Sequence, residues 1–204
     1  GSSGTWNCNW KTAVDNNLEN YHIPIGHPGY DRLLKTGEHD SMNAHGVAMT
    51  VARHRAEPSP QPSERMYQAL APTTLADLAP DQRSTWVFST MQPNIGINIY
   101  PESMDVLQML PSTAETTLIR WIVYRRLSET REERLLRYLN YRINRQVMRE
   151  DHELCERVQQ GLGTRGYQPG PLSTLEVAVL DFHERIRASI PETRLADEPA
   201  AFAD

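Results

Sequence analysis

Two histidines follow a carboxylate closely near the start of the chain. Glu19 and His22 are three residues apart, so they share one face of a helix, and Pro24 and Gly26 then bend the chain so that His27 can return towards His22. Two imidazoles and a remote carboxylate form a set that suits non-haem Fe(II), because three protein ligands leave several coordination positions open. Zinc accepts the same ligands, and structural histidines share this spacing.

Asp151 is the candidate for the remote carboxylate. At helical spacing it lies near the centre of an apolar stripe formed by Val147, Met148, Leu154, Cys155 and Val158. Glu150 and Glu153 are expected to point elsewhere. An unpaired carboxylate in an apolar interior is costly, so Asp151 needs a partner from another segment. That partner is a metal, an arginine or a set of hydrogen-bond donors.

The elements around these residues predict an α+β architecture. Apolar residues alternate in the manner of strands over residues 47–54, 85–90, 95–99, 106–110 and 116–124. In the run from residue 95, Ile95, Ile97 and Ile99 share one face. Short turns without intervening helices separate the last four strands, which implies an antiparallel meander.

Helices are predicted on either side of these strands. A short helix spans about residues 11–20, and a loop rich in Gly, Pro and His follows it to residue 46. Thr130 and Glu133 form a capping box that opens the longest helix, which ends near Leu162. Ser173 and Glu176 form a second box, opening a helix to about residue 190. The prediction is an antiparallel β-sheet covered by a long C-terminal helix.

Composition excludes several classes of protein. The 204 residues suit one domain, and 21 basic against 26 acidic residues give a net charge of −5, so we expect neither a nucleic-acid nor a membrane partner. Apolar stretches are too short for a transmembrane helix, and no signal-peptide pattern is present, so a cytoplasmic protein is expected. With only Cys8 and Cys155, there is no disulfide framework and no four-thiolate metal site.

Several strings together resemble one known family. Three strings resemble the iron-site signature of Rieske-type ring-hydroxylating oxygenase α subunits, which lies at the start of their catalytic domain. They are Asn9-Trp10-Lys11, Asp15-Asn16 and Glu19-x-x-His22-x4-His27-Pro28. The family's long C-terminal helix and the segment after it resemble Glu150-Asp151-x-x-Leu154-Cys155-Glu156-x-Val158-Gln159-x-Gly161-Leu162, Gly170-Pro171-Leu172-Ser173 and Phe182-His183. These strings bracket residues 9–183, and residues 35–115 carry no recognised motif.

The resemblance implies roles for the matched positions. His22, His27 and Asp151 would be the mononuclear iron ligands. Glu19 stands where a carboxylate of the family, often Asp, bridges to a histidine of the iron–sulfur cluster in the neighbouring subunit, so it would carry electrons to the iron.

Four further positions are assigned alternative roles. Asp15 and Asn16 would either order the ligand histidines or cap the first helix. Val147, one turn before Asp151, would be a wall of the substrate pocket or an ordinary core residue. Cys155 is expected to be a small core residue and not a ligand.

The resemblance also implies a helix-grip (START/Bet v1-like) fold with an apolar pocket between the sheet and the long helix. Ferrous iron there would use O₂ to hydroxylate an aromatic or related organic substrate, and electrons from NAD(P)H would arrive through a reductase, sometimes a ferredoxin, and a [2Fe-2S] cluster. Oxidative N- or O-demethylation is an alternative, as are zinc hydrolysis and a non-catalytic ligand-binding module. A homotrimer is expected, with or without a β subunit.

The iron–sulfur cluster itself has no ligands here. A Rieske cluster needs two Cys and two His in a C-x-H … C-x-x-H arrangement, which this sequence lacks. We therefore expect residues 1–8 to be the remnant of a linker from a missing Rieske domain, residues 9–190 to be the catalytic mononuclear iron domain, and residues 191–204 to be a flexible tail.

Overall fold

The computed structural model describes residues 1–35, 42–44, 46–190 and 192. Within them the chain forms one antiparallel sheet of seven strands. The strands are β1 (Ser2–Trp6), β2 (Met42–Ala44), β3 (Val47–Arg53), β4 (Thr85–Met91), β5 (Ile95–Ile99), β6 (Ser103–Pro111) and β7 (Thr117–Arg125). Their order across the sheet is β1-β7-β6-β5-β4-β3-β2, so β2 to β7 form a meander and β1 pairs with β7.

Six helices of the described residues accompany the sheet. They are α1 (Trp10–Leu18), α2 (Ile23–Gly26), α3 (Pro28–Leu33), α4 (Pro62–Thr74), α5 (Arg131–Leu162) and α6 (Val177–Ser189). Helix α5 begins at the capping box. Thr130 Oγ1 accepts from the Glu133 amide at 3.1 Å, and the Glu133 carboxylate accepts from the Thr130 amide at 2.7 Å. The predicted α+β architecture, with an antiparallel meander and a long C-terminal helix, is confirmed.

Some local predictions are corrected. Ser2–Trp6, which lies in the segment expected to be a linker remnant, forms an edge strand of the sheet. The loop predicted to reach residue 46 contains α2 and α3. Ser173 and Glu176 do bond to each other, but they close a turn before the last helix, which begins at Val177. The predicted apolar stripe of α5 ends before Val158, which is half-exposed.

Strand β5 shows that an apolar face need not be the inner face. Ile99 is half-exposed, whereas Gly96 is buried and Asn98 lines an internal cavity. A Cβ atom on Gly96 would lie 3.3 Å from Leu107 Cβ and 3.4 Å from Asn17 Nδ2. Glycine at this position therefore lets α1 pack closely on the sheet.

Two apolar clusters fill the space between the sheet and the helices. One joins α1, α5 and α6 to β6 and β7, and it contains both cysteines, Cys8 and Cys155, as buried residues. The other joins α3, α4 and the first half of α5 to β4 around Trp86. The prediction of Cys155 as a core residue is confirmed.

Polar groups are buried in the cluster around Trp86. The Trp86 indole donates to the Tyr67 hydroxyl at 3.0 Å, and that hydroxyl donates to Glu102 Oε2 at 2.9 Å. Burial raises the pKa of Glu102 to about 7, although the bond from Tyr67 opposes the shift. Burial also lowers the pKa of His54, which packs against the Tyr67 ring, to about 4, so this imidazole is a neutral core group.

The raised pKa of Glu102 predicts that the free energy of unfolding decreases as the pH rises. A carboxyl whose pKa is higher in the folded than in the unfolded protein binds its proton preferentially in the folded state, so the stability it contributes is lost between about pH 4.5 and pH 7. Glu102→Gln removes this loss. Its free energy of unfolding, relative to wild type, should increase by about 1–3 kcal/mol between pH 5 and pH 8.

Urea denaturation at the two pH values measures this change. Glu115→Gln, at an exposed turn, is the matched control and should show no such pH-dependent difference. An equal effect of Glu102→Gln at both pH values would show that Glu102 is ionised in the folded protein throughout this range.

Candidate metal centre

Three side chains converge beside the short helix α2. His22 immediately precedes α2, His27 lies between α2 and α3, and Asp151 is on α5. The two Nε2 atoms are 3.0 Å apart, and Asp151 Oδ1 lies 2.9 Å from His27 Nε2 and 3.8 Å from His22 Nε2. One atom of each residue that could bind a metal lies within 4.8 Å of the corresponding atoms of the other two. The structure thus brings together the three residues that the sequence analysis singled out.

The short helix α2 explains why the two histidines meet. Pro24 lies in its first turn, and the helix ends after four residues, which turns the chain back so that the rings lie 4.9 Å apart. A Cβ atom on Gly26 would lie 2.9 Å from Leu154 Cδ1 and 3.3 Å from His22 Cδ2. Glycine therefore allows this turn to sit directly against α5.

Carboxylates hold the outer nitrogen of each ring. Glu19 accepts from His22 Nδ1 and also from the His22 amide at 3.1 Å, while Glu150 Oε2 accepts from His27 Nδ1 at 2.9 Å. These bonds place a proton on each Nδ1, so in the neutral rings the Nε2 atoms carry the lone pairs that can bind a metal. Two lone pairs 3.0 Å apart repel each other unless a cation or proton lies between them.

The local field also favours positive charge. Burial lowers the pKa of His27, but its contacts with Asp151 and Glu150 outweigh burial and raise that pKa above its ordinary value. Two neutral imidazoles and a carboxylate, oriented by further carboxylates, are the donor set of a non-haem iron or zinc site. The residues present therefore fit a divalent transition metal.

Glu150 corrects an expectation. The helical pattern placed its side chain away from Asp151, yet it bonds to His27 and accepts from Gln146 Nε2 at 3.1 Å. Residues adjacent on a helix differ by about 100° in direction, but the flexible Glu side chain spans that difference. Glu153 does point away, and its side chain is 71 % exposed.

Asn16 and Asp15 have different surroundings. Asn16 Nδ2 donates to Asp151 Oδ1 at 2.7 Å and so orients this carboxylate directly. The Asp15 carboxylate instead meets His183 Nε2 of α6 at 2.9 and 3.0 Å, and this bond raises the pKa of His183. The expectation that Asp15 orders the ligand histidines or caps α1 is therefore wrong, since the cap of α1 is Asn9.

A cavity of about 80 Å³ adjoins the three ligand-type residues. It lies between α1–α3, α5 and the inner face of the sheet, and Val147 is one of the residues that line it. The expected apolar character holds only in part, because polar side chains also line this cavity: Asn98, Tyr100, Asp105 and Asn144. Three of these lie in the region 35–115, where no motif was recognised. Asp105 was detectable as a polar residue two positions before inward-facing Leu107.

Cys155 lies one turn after Asp151 on α5 and belongs to the apolar core. Cys155 interacts with Cys8 in the core, and this contact, together with burial, raises the pKa of Cys155. No helix in the described part of the chain combines the length and apolar character needed to cross a bilayer.

Comparisons with known proteins connect this geometry to a family. A protein-family model, that of the ring-hydroxylating α subunit (catalytic domain), matches residues 4–192 of the sequence. The carnitine monooxygenase oxygenase subunit of Acinetobacter pittii is 30% identical over 167 residues, covering 79% of this chain and 40% of that protein. Putrescine 2-hydroxylase of Bordetella bronchiseptica is 29% identical over 202 residues, covering 92% of this chain and 45% of that protein.

A solved structure shares the fold. A quaternary ammonium Rieske monooxygenase, studied for carnitine oxidation by gut microbiota, superposes with a TM-score of 0.68 at 20% identity, covering 92% of this chain and 48% of that one. The chain spans less than half the length of these relatives. The family match nevertheless covers nearly the whole sequence, and the chain belongs to the catalytic-domain family of ring-hydroxylating α subunits.

Proposed function

We propose that the chain is the catalytic domain of a Rieske-type non-haem iron oxygenase that binds Fe(II) through His22, His27 and Asp151. The observation that carries this proposal is the convergence of two imidazole Nε2 atoms and one carboxylate beside a cavity. Membership of the family supports it independently. Zinc hydrolysis at the same residues, or ligand binding without catalysis, are the outcomes against which it is tested.

The side chains of the site have different roles. A bound ferrous ion supplies the one-electron chemistry through which O₂ reacts with a C–H bond. Asn16 and Glu150 hold Asp151 and His27 in their ligating orientations. Val147 and Leu107 line the cavity beside the ligands and restrict water there. With three protein ligands, the face towards the cavity stays open to small molecules.

Electrons must reach this site from outside the chain. Monooxygenation converts a C–H bond and O₂ into a C–OH group and water, which consumes two electrons and two protons. Cys8 and Cys155 are both buried in the core, so the [2Fe-2S] cluster belongs to another part of the enzyme. NAD(P)H would supply the electrons through a reductase, sometimes with a ferredoxin, in the cytoplasm.

Glu19 is the proposed entry point for these electrons. Its carboxylate already bonds to the outer nitrogen of His22, and its side chain remains 10 % exposed. A carboxylate between a ligand histidine and a cluster histidine of a neighbouring subunit would connect the two centres. A head-to-tail trimer, with or without a β subunit, is the assembly that would place them side by side.

The substrate proposal shifts from the sequence-based expectation. An aromatic compound was expected, but relatives covering most of this chain are named for carnitine and putrescine, which are both organic amines. Polar groups in the cavity also suit such substrates better than a hydrocarbon. We therefore favour monooxygenation of a small nitrogen-containing compound, including oxidative loss of an N-alkyl group, over aromatic dihydroxylation.

Metal stoichiometry tests the proposed ligands. After anaerobic loading with Fe(II) and removal of free metal, the wild-type chain should retain about one ion per chain, measured by elemental mass spectrometry. His22→Ala, His27→Ala and Asp151→Ala should each abolish retention, because two protein ligands remain. Glu153→Ala, on the exposed side of α5, is the matched control and should retain the metal.

Two outcomes would contradict the assignment. Normal iron retention by Asp151→Ala would remove this carboxylate from the ligand set. Tight zinc retention with no O₂ consumption by the complete, reduced enzyme would favour a hydrolase instead.

The role of Glu19 is tested in the complete enzyme with its cluster. Glu19→Gln should reduce reductase-driven turnover about 10- to 100-fold while turnover driven by added hydrogen peroxide, which needs no electron transfer, changes little. Iron content is measured in the same samples. Equal losses in both assays would show that Glu19 serves only to hold His22.

A further inference from the structure

Asp105 is a buried carboxylate at the cavity beside the proposed iron ligands. It is 2 % exposed and lines the cavity from strand β6. Its oxygens accept from Asn98 Nδ2 at 2.9 Å and from the Tyr100 hydroxyl at 3.0 Å, and the Trp121 indole is a third donor. All three donors are neutral, and among the described residues no lysine, arginine or histidine contributes to its pKa shift.

The surrounding hydrogen bonds favour the ionised carboxylate. Asn144 Nδ2 donates to Asn140 Oδ1 at 2.8 Å, so Asn144 Oδ1 must accept, and it accepts from the Tyr30 hydroxyl. The single Tyr100 proton is shared between Asn144 Oδ1 at 3.1 Å and Asp105 at 3.0 Å. The carboxylate is the stronger acceptor, and Asn144 already has a donor, so Tyr100 donates to Asp105.

A charge in this position lacks a counter-ion in the described residues. Burial raises the pKa of Asp105 to about 6, although the bonds from Trp121, Tyr100 and Asn98 oppose the shift, so the group is mostly ionised at neutral pH. An uncompensated buried charge is costly. The cavity therefore favours a ligand that brings a positive charge to Asp105.

The walls of the cavity are suited to an alkylated cation. Tyr30, Phe88, Tyr100 and Trp121 all line it. Aromatic side chains attract cations and also pack against their alkyl groups, whereas they offer no comparable partner for an anion. A volume of about 80 Å³ restricts the bound group to a small one.

The polar groups connect Asp105 with the proposed iron site. Tyr100 and Tyr30 share Asn144, and the Tyr30 ring lies 5.9 Å from the His27 ring, centroid to centroid. A ligand whose charge is held at Asp105 therefore occupies the same cavity as the residues that would bind iron.

We propose that Asp105 is the counter-ion for the ammonium group of the substrate and that the aromatic side chains beside it enclose the groups attached to the nitrogen. This inference rests on the proposed function, because it makes the ammonium group part of the molecule that is oxidised. Asp105 then selects organic cations over neutral compounds of the same shape.

A pair of probes with the same shape and different charge tests this selection. Choline and 3,3-dimethylbutan-1-ol differ by a quaternary nitrogen in place of a carbon. Calorimetric titration is carried out on the Zn(II)-saturated chain, so that the metal neutralises Asp151, and repeated on the metal-free chain. Wild type should bind choline at least about tenfold more tightly, which corresponds to about 1.4 kcal/mol.

Two substitutions locate the preference. Asp105→Asn should abolish it while leaving the affinity for the alcohol unchanged, and Asp77→Asn, with an exposed side chain, is the matched control. Phe88→Leu should weaken choline binding more than alcohol binding, which tests the aromatic part of the proposal. If Asp105→Asn does not fold, the comparison of the two probes on the wild-type chain still tests the counter-ion.

The outcomes separate the two proposals. Equal binding of both probes to wild type, or retention of the preference by Asp105→Asn, would each overturn the role of Asp105. Equal weakening of both probes by Phe88→Leu would overturn the role of the aromatic side chains. Failure to retain Zn(II) or Fe(II) would overturn the metal site instead, and the comparison in the metal-free chain would still decide whether the cavity selects cations.

Discussion

The close approach of His22 and His27 to Asp151 dominates this structure electrostatically. The two Nε2 atoms lie 3.0 Å apart, and Glu19 and Glu150 accept hydrogen bonds from the Nδ1 atoms on the opposite sides of the rings. Such an arrangement favours a cation between the three groups. The carboxylates thus do more than neutralise charge, because they set which nitrogen of each ring is available to the metal.

Bringing these groups together requires close backbone packing at two places. Gly26 allows the turn between the histidines to lie against α5, and Gly96 allows α1 to approach the sheet. Helix α5 then presents Asp151 to the histidines and Val147 to the cavity. The two apolar clusters hold this helix along its length, so the geometry of the site depends on the docking of one long element.

The cavity combines the family's general design with a feature of its own chemistry. The fold is shared with a Rieske monooxygenase at a TM-score of 0.68, although only 20% of residues are identical. A fold shared at this distance fixes the course of the backbone, whereas individual side chains determine what is bound. Here Asp105, Asn144 and the tyrosines give the cavity a polar, negatively charged lining.

The sequence by itself determined the elements and the reactive residue types. Alternation predicted the strands, the capping box of Thr130 marked the start of α5, and the spacing of Glu19, His22 and His27 indicated a site with two imidazoles. These signals are local, because hydrogen bonding and side-chain direction repeat with the period of each element.

Only the tertiary structure decided which groups meet. Asp15 and Asn16 are adjacent in sequence, yet Asn16 orients Asp151 and Asp15 bonds to His183 of α6. Glu150 and Asp105 escaped prediction for the same reason, since contacts between distant segments depend on strand register and on how the helices pack across the sheet. A one-residue change in register reverses the face that a strand residue occupies, and no pattern within a single strand fixes which face is covered.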